Sequence, residues 1–134
     1  MTFSAVELEY LAGQVLGRLA TVQPDGSPQV NPVGFRWNAA TGTIDIGGYN
    51  MAASRKFRNV ADNGRVAFVV DDVPSTNPWR VRCLEIRGRG EAITEPDAII
   101  RIHPQRILAF GIDEPDREPH RLAVNKRNVA EAQN

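Results

Sequence analysis

The chain holds a single cysteine, Cys83, among 134 residues. One thiol closes no internal disulfide and cannot supply the paired thiolates of a Cys-rich zinc site. Histidine is nearly as scarce: His103 and His120 are the only two. Neither has a second ligand beside it in sequence, so no metal site is expected. No apolar run approaches the roughly 20 residues that span a bilayer. Charge of one sign is also missing: 16 Lys and Arg balance 16 Asp and Glu. That balance speaks against a nucleic-acid binder driven by bulk charge. Two Trp, two Tyr and five Phe, with no strand that interleaves basic and aromatic residues, leave little for a base-stacking barrel. The opening residues carry two glutamates and no basic stretch, which reads against a signal peptide and for a cytoplasmic protein. What is present is ordinary for one globular domain: 42% hydrophobic and 24% charged residues.

Hydrophobic spacing and turn residues give the order of elements. Ser4 and Glu7 form a capping box, and Val6, Tyr10 and Leu11 recur at helical spacing up to Gly13, which predicts a helix over 4–13. Strand-like stretches follow at 16–22, 28–37 and 43–49, separated by Pro24-Asp25-Gly26 and by Asn38 to Gly42. Pro28 and Pro32 cannot donate to a ladder, so their strand is expected at an edge or bulged. A short helix is expected over 54–63, capped by Ser54 and closed by Gly64. The apolar run Val66 to Val70 reads as a buried strand, 71–80 as a loop, and 84–93 and 101–112 as long strands. The glycines at 88 and 90 permit strong bending. From Asp113 on the chain is polar, a tail with a helix expected over 121–132, mobile unless a partner subunit covers it. The count is about six strands and two helices. The expected fold is mainly β, a six-stranded antiparallel barrel with helices over 4–112, followed by the tail 113–134.

Ser54-Arg55-Lys56-Phe57-Arg58 opens the second helix. Cations there oppose the positive end of the helix dipole, and free backbone amides point out at the same place. Such a cluster makes sense where an anion is bound, and phosphate fits best. A solvated helix face is the competing reading. The strand–turn–Ser–helix context brings the anion reading level with it.

Tyr49-Asn50-Met51-Ala52-Ala53-Ser54-Arg55-Lys56, with Asn59-Val60 and Asn63-Gly64-Arg65-Val66-Ala67-Phe68, resembles the pyridoxamine 5′-phosphate oxidase-like superfamily of split, FMN-binding β-barrels. Gly17 to Val22, Asp25-Gly26 and Pro28 to Val33 are similar to its actinobacterial branch, which uses the deazaflavin coenzyme F420. So are Glu85 to Gly88, Arg101 to Pro104 and Ala109 to Ile112. Within that branch the chain looks most like the group that includes a dehydrotetracycline reductase. The resemblance implies that Arg55 and Lys56 bind the cofactor phosphate with Ser54 as helper. Tyr49 and Asn50 would end the strand beside the cofactor. Asn31, Pro32, Val33, Gly34 and Phe35 would lie on a neighbouring strand whose backbone approaches the ring. Arg58 is a candidate for the acidic tail that F420 has and FMN lacks. The stretch between Pro96 and Ile99 is shorter than in such relatives, and Phe110 stands where Trp is more usual.

The resemblance further implies a homodimer with the cofactor groove at the subunit interface, and hydride transfer from reduced F420 to an electron-poor double bond of a small molecule. An FMN oxidase or flavin reductase of the same fold, and a non-catalytic flavin or F420 binder, are the alternatives. Other residues carry milder expectations. Cys83 reads as a small buried hydrophobe. Asp71-Asp72 reads as a strand cap more than a metal pair, and His103 as a loop hydrogen-bonder. Trp79 either lines a substrate pocket or packs under a loop.

Overall fold

The computed structural model describes residues 2–114 and 117–130. Helix α1 (Ala5–Ala12) starts at the expected capping box: Glu7 N–H donates to Ser4 Oγ, and Ser4 N–H donates to Glu7 Oε1 at 2.8 Å. The strands are β1 (Gly17–Val22), β2 (Pro28–Val33), β3 (Arg36–Asn38) and β4 (Thr43–Ile46), then β5 (Arg65–Thr76), β6 (Trp79–Ile93), β7 (Ile99–Phe110) and β8 (Asn125–Asn128). Helix α2 (Arg55–Asn63) lies between β4 and β5. Among the described residues no helix is long and apolar enough to cross a membrane.

All the strand pairs are antiparallel. The sheet runs β2-β1-β5-β6-β7-β4-β3, with β8 also on β7. Its two ends, β2 and β3, are joined in sequence by Gly34 and Phe35 alone. A link that short spans at most about 10 Å, so the sheet must curl until its ends meet. It is a barrel split between β2 and β3. β7 serves β4 with Ile100–Ile102 and β8 with Arg106–Ala109, while β6 takes its other side.

The inward faces supply the core. Leu19, Phe68, Val70, Leu84, Ile86, Ile100, Ile102 and Ile107 are all at most 1% exposed, on alternating positions of β1, β5, β6 and β7. Pro28 and Pro32 do lie on an edge strand. A register shift at Arg87/Gly88 faces Pro104, so a bulge absorbs the proline that would otherwise break the β6–β7 ladder.

Three expectations are corrected. The described residues hold eight strands, not six: the stretch 28–37 bends at Gly34-Phe35 into β2 and β3, and β8 adds one more. The stretch 71–80 is no loop, because β5 and β6 run on as a two-stranded arm that pairs as far as Thr76 and Trp79. The helix expected over 121–132 is absent from the described part, which holds a short 3-10 turn at Pro119–Arg121 and then β8; residues 131 and 132 lie outside it. Arg127 on β8 donates to both oxygens of buried Glu7 and to Thr2 O, and these bonds reward the extended form.

Candidate functional site

Helix α2 is positioned by its caps and by one close approach. Phe57 N–H donates to Ser54 Oγ at 3.3 Å, and Gly64 closes the helix in the left-handed region. Phe57, Asn59 and Val60 are buried on its inner face. A side chain at Gly90 of β6 would meet Val66 Cγ1 at 2.8 Å and Val60 Cγ1 at 3.0 Å, so glycine there is what lets α2 lie flat on the sheet.

The outer end of α2 is cationic. Arg55 and Arg58 are exposed and Lys56 is half-buried. Among the described residues none of the three has a carboxylate within ion-pair distance, whereas Arg18, Arg36, Arg82, Arg87, Arg101 and Arg127 all do. The first turn of α2 holds no acidic residue. Ser54 gives its hydroxyl proton to Met51 O at 2.6 Å, so its part is to fix the helix start. The Arg55 and Lys56 amides, as first and second helical residues, have no intrahelical acceptor.

Asn50, directly before the 3-10 turn that leads into α2, is the one described non-glycine residue with positive φ, at 53°. Asparagine tolerates that region better than most residues. The Tyr49 side chain beside it is fully exposed.

The β1–β2 hairpin forms the other wall. Gln29, Asn31 and Val33 share the more shielded face of β2, while Pro28, Val30 and Pro32 face out. Asn59 of α2 donates to Thr21 Oγ1 and to Gln29 Oε1, each at 3.1 Å, and Asn63 donates to Val22 O at 2.6 Å. These bonds tie α2 to the hairpin. At the hairpin tip, two hydrogen bonds from Ser27 hold the Asp25 carboxyl below its usual range, with a smaller pull from the charge of Arg55. Arg55 therefore lies on the hairpin side of the helix, one turn before Asn59.

The expected residues thus divide. Arg55, Lys56 and Arg58 sit together at the start of α2, with Tyr49 and Asn50 just ahead of them. Asn31 lies on the face of β2 that α2 is tied to. Pro32 and Gly34 are exposed, whereas the side chain of Val33 is in the core and Phe35 packs edge-to-face on Phe68 at 5.3 Å, which leaves only their backbone for a ligand. The sequence alone assigns no role to Gln29 or Asn59. The signals for Asn59 are its place in the Asn59-Val60 resemblance and its position four residues after Arg55 on the helix.

Among the hollows that lie elsewhere, one of about 550 Å3 is lined by Thr2, Thr41, Arg89, His103, Gln105 and neighbours, and one of about 270 Å3 by Ala109–Glu114 and Ala123–Asn125. Neither includes a residue of the cationic cluster. His103 is a hydrogen-bonder as expected, 2.8 Å from Glu91 Oε1, but on β7 and not in a loop. Asp72 does not cap a strand. It lies within β5, where Arg82 holds it through two nitrogens and the Tyr10 hydroxyl donates to it at 2.9 Å. Burial pushes the half-buried Cys83 thiol up to about 11, so it is a poor nucleophile. Trp79 is 52% exposed where the β5–β6 arm turns, and lines neither hollow.

A family model described as pyridoxamine 5′-phosphate oxidase matches residues 5–128. The chain is 48% identical over 122 residues to a 5a,11a-dehydrotetracycline/5a,11a-dehydrooxytetracycline reductase of Streptomyces rimosus subsp. rimosus, covering 84% of this chain and 86% of that protein. Among solved structures it is similar to an F420 reductase at TM-score 0.54 and 28% identity, over 69% of this chain and 88% of that one. A conserved hypothetical protein from Mycobacterium tuberculosis gives TM-score 0.68 at 20% identity, over 80% and 84% of the two chains.

Proposed function

The chain belongs to the pyridoxamine 5′-phosphate oxidase family, and from that premise we propose that it is an oxidoreductase that uses a flavin-type cofactor, specifically coenzyme F420, to reduce an electron-poor double bond of a small organic molecule. One observation carries the cofactor reading: Arg55, Lys56 and Arg58, three cations without carboxylate partners among the described residues, crowd the end of α2 where the helix dipole already disfavours positive charge. A bound anion turns that arrangement from unfavourable to favourable. The similarity to a dehydrotetracycline reductase and to an F420 reductase supports the reaction class and the choice of coenzyme.

When bound, F420 supplies the hydride. The chain supplies position and charge. Arg55 and Lys56, with their own free amides, neutralise and orient the phosphate, and Ser54 keeps the helix start rigid beneath it. Arg58, one turn further along, faces the solvent and is placed to meet the acidic tail. The backbone from Asn31 to Phe35 forms the wall beside the ring. Tyr49, fully exposed next to the cluster, is the candidate to deliver a proton to the reduced product.

A single chain presents this site as a face and not a closed slot. Exposed Val15, Leu16 and Val30, at 85%, 50% and 63%, supply apolar surface near the β1–β2 wall. We assign them to a second copy of the chain, which closes the groove in a homodimer.

The test is titration of the purified protein with F420 and with FMN, followed by ring fluorescence, and then turnover of reduced F420 with an enone acceptor. Tighter binding of F420 and recovery of its visible absorbance are expected. Tighter binding of FMN moves the protein to flavin chemistry on the same fold, and binding without turnover makes it a carrier.

A further inference from the structure

Asn59 is 1% exposed, and its Oδ1 is the one buried side-chain nitrogen or oxygen without a partner among the described residues. An orphaned buried carbonyl carries a desolvation penalty, and a residue that keeps one is held there by something else it does. What Asn59 does is donate from a single nitrogen to Thr21 Oγ1 and Gln29 Oε1. The bond to Gln29 fixes that amide by its oxygen. Its nitrogen has no acceptor among the described residues, which leaves it free to donate. Gln29 sits on β2, an edge strand with no further strand beyond it, and shares its face with Asn31. Asn59, which holds Gln29, lies about one helical turn along α2 from Arg55.

We propose that Gln29 is a cofactor-binding donor, addressed to an acceptor oxygen of the cofactor beyond its phosphate, and that Asn59 is the positioning residue that sets its amide the right way round. The proposal rests on the reading of α2 and β2 as the cofactor site. Asn59 accepts its own unsatisfied oxygen as the consequence of presenting nitrogen to Gln29.

Dissociation constants for F420 and FMN, with thermal midpoints alongside, test it. Gln29→Ala is expected to weaken binding about tenfold, the size of one good hydrogen bond, with little change in midpoint. Gln29→Glu keeps an acceptor for Asn59 and removes the donor, so it should lose at least as much. Asn59→Asp offers Gln29 only acceptors and turns its oxygen outward. It should match the loss of Gln29→Ala, and the double variant should be no worse than either alone. Wild-type affinity in Gln29→Ala and Gln29→Glu overturns the proposal even if Asn59→Asp fails to fold. Additive losses overturn the positioning role. If Lys56→Ala weakens binding while the Gln29 variants do not, this inference fails alone; if the native chain binds neither coenzyme, the cofactor site itself fails with it.

Discussion

Arg127 reaches back across 120 positions of sequence to hold both carboxylate oxygens of Glu7, one of them at 3.1 Å. Glu7 is 2% exposed. Burial alone pushes its pKa up, but the Arg127 guanidinium and the Ser4 amide together outweigh burial and hold it below the usual carboxylate range. A depressed folded-state pKa gives stability that is present above the unfolded pKa and lost as pH falls through the folded one. Arg127→Ala leaves the buried charge uncompensated and should cost about 3 kcal/mol at pH 7. In that variant Glu7 takes up a proton more readily, so the gap in Tm to the native chain should narrow between pH 7 and pH 4. A gap that stays constant with pH would show that the pair contributes packing and no charge.

Lys56→Ala should weaken coenzyme binding by roughly 1.5–3 kcal/mol, about ten- to hundredfold, because charge-assisted contacts to phosphate have that size. The same change should leave Tm nearly unaltered, since Lys56 has no protein partner to lose among the described residues. The measurement is fluorescence titration at fixed ionic strength. Equal affinity of the variant and the native chain would take Lys56 out of the site.

Gly111 ends β7 with φ 76°, and a Cβ there would lie 2.1 Å from Val81 O. Gly111→Ala should cost at least ~2 kcal/mol, from the left-handed backbone and from the clash with a main-chain atom that cannot rotate away. Urea unfolding would measure it. A loss within a few tenths of a kcal/mol would mean the Gly111 turn opens at little expense.

Sedimentation should show a dimer. Val30→Lys, placed on the outward face of β2, should shift it toward monomer and weaken coenzyme binding together. A monomer with native affinity would mean that one chain holds the coenzyme by itself.

Local chemistry was the legible part of this fold. Ser4, Glu7, Ser54 and Gly64 act within a few residues of themselves, so both helices could be placed from their caps. Pro28 and Pro32 marked an edge strand because a missing N–H has the same meaning in any fold. What escaped depends on partners distant in sequence. Asn125 to Asn128 have no apolar alternation, and they are a strand because β7 has a free stretch to pair with and Arg127 finds Glu7. Asp71 and Asp72 read as loop residues, yet Arg18 and Arg82 hold them in the β5–β6 arm. At the candidate site the cationic cluster was visible as a run of residue types. The Asn59–Gln29 bond, which joins positions 30 apart, was not.

The two edge prolines also govern how this protein can meet its neighbours. The ladder from β1 continues in register past Pro28 and Pro32. Having no N–H to give β1, those positions must be the ones whose main chain faces away from it, and Val30 between them belongs to the same set. The outer rim of β2 thus offers one amide hydrogen where a foreign strand would need three. A foreign strand would find most of the donors it needs missing there, so that rim resists edge-to-edge pairing while its carbonyls stay open to a donor.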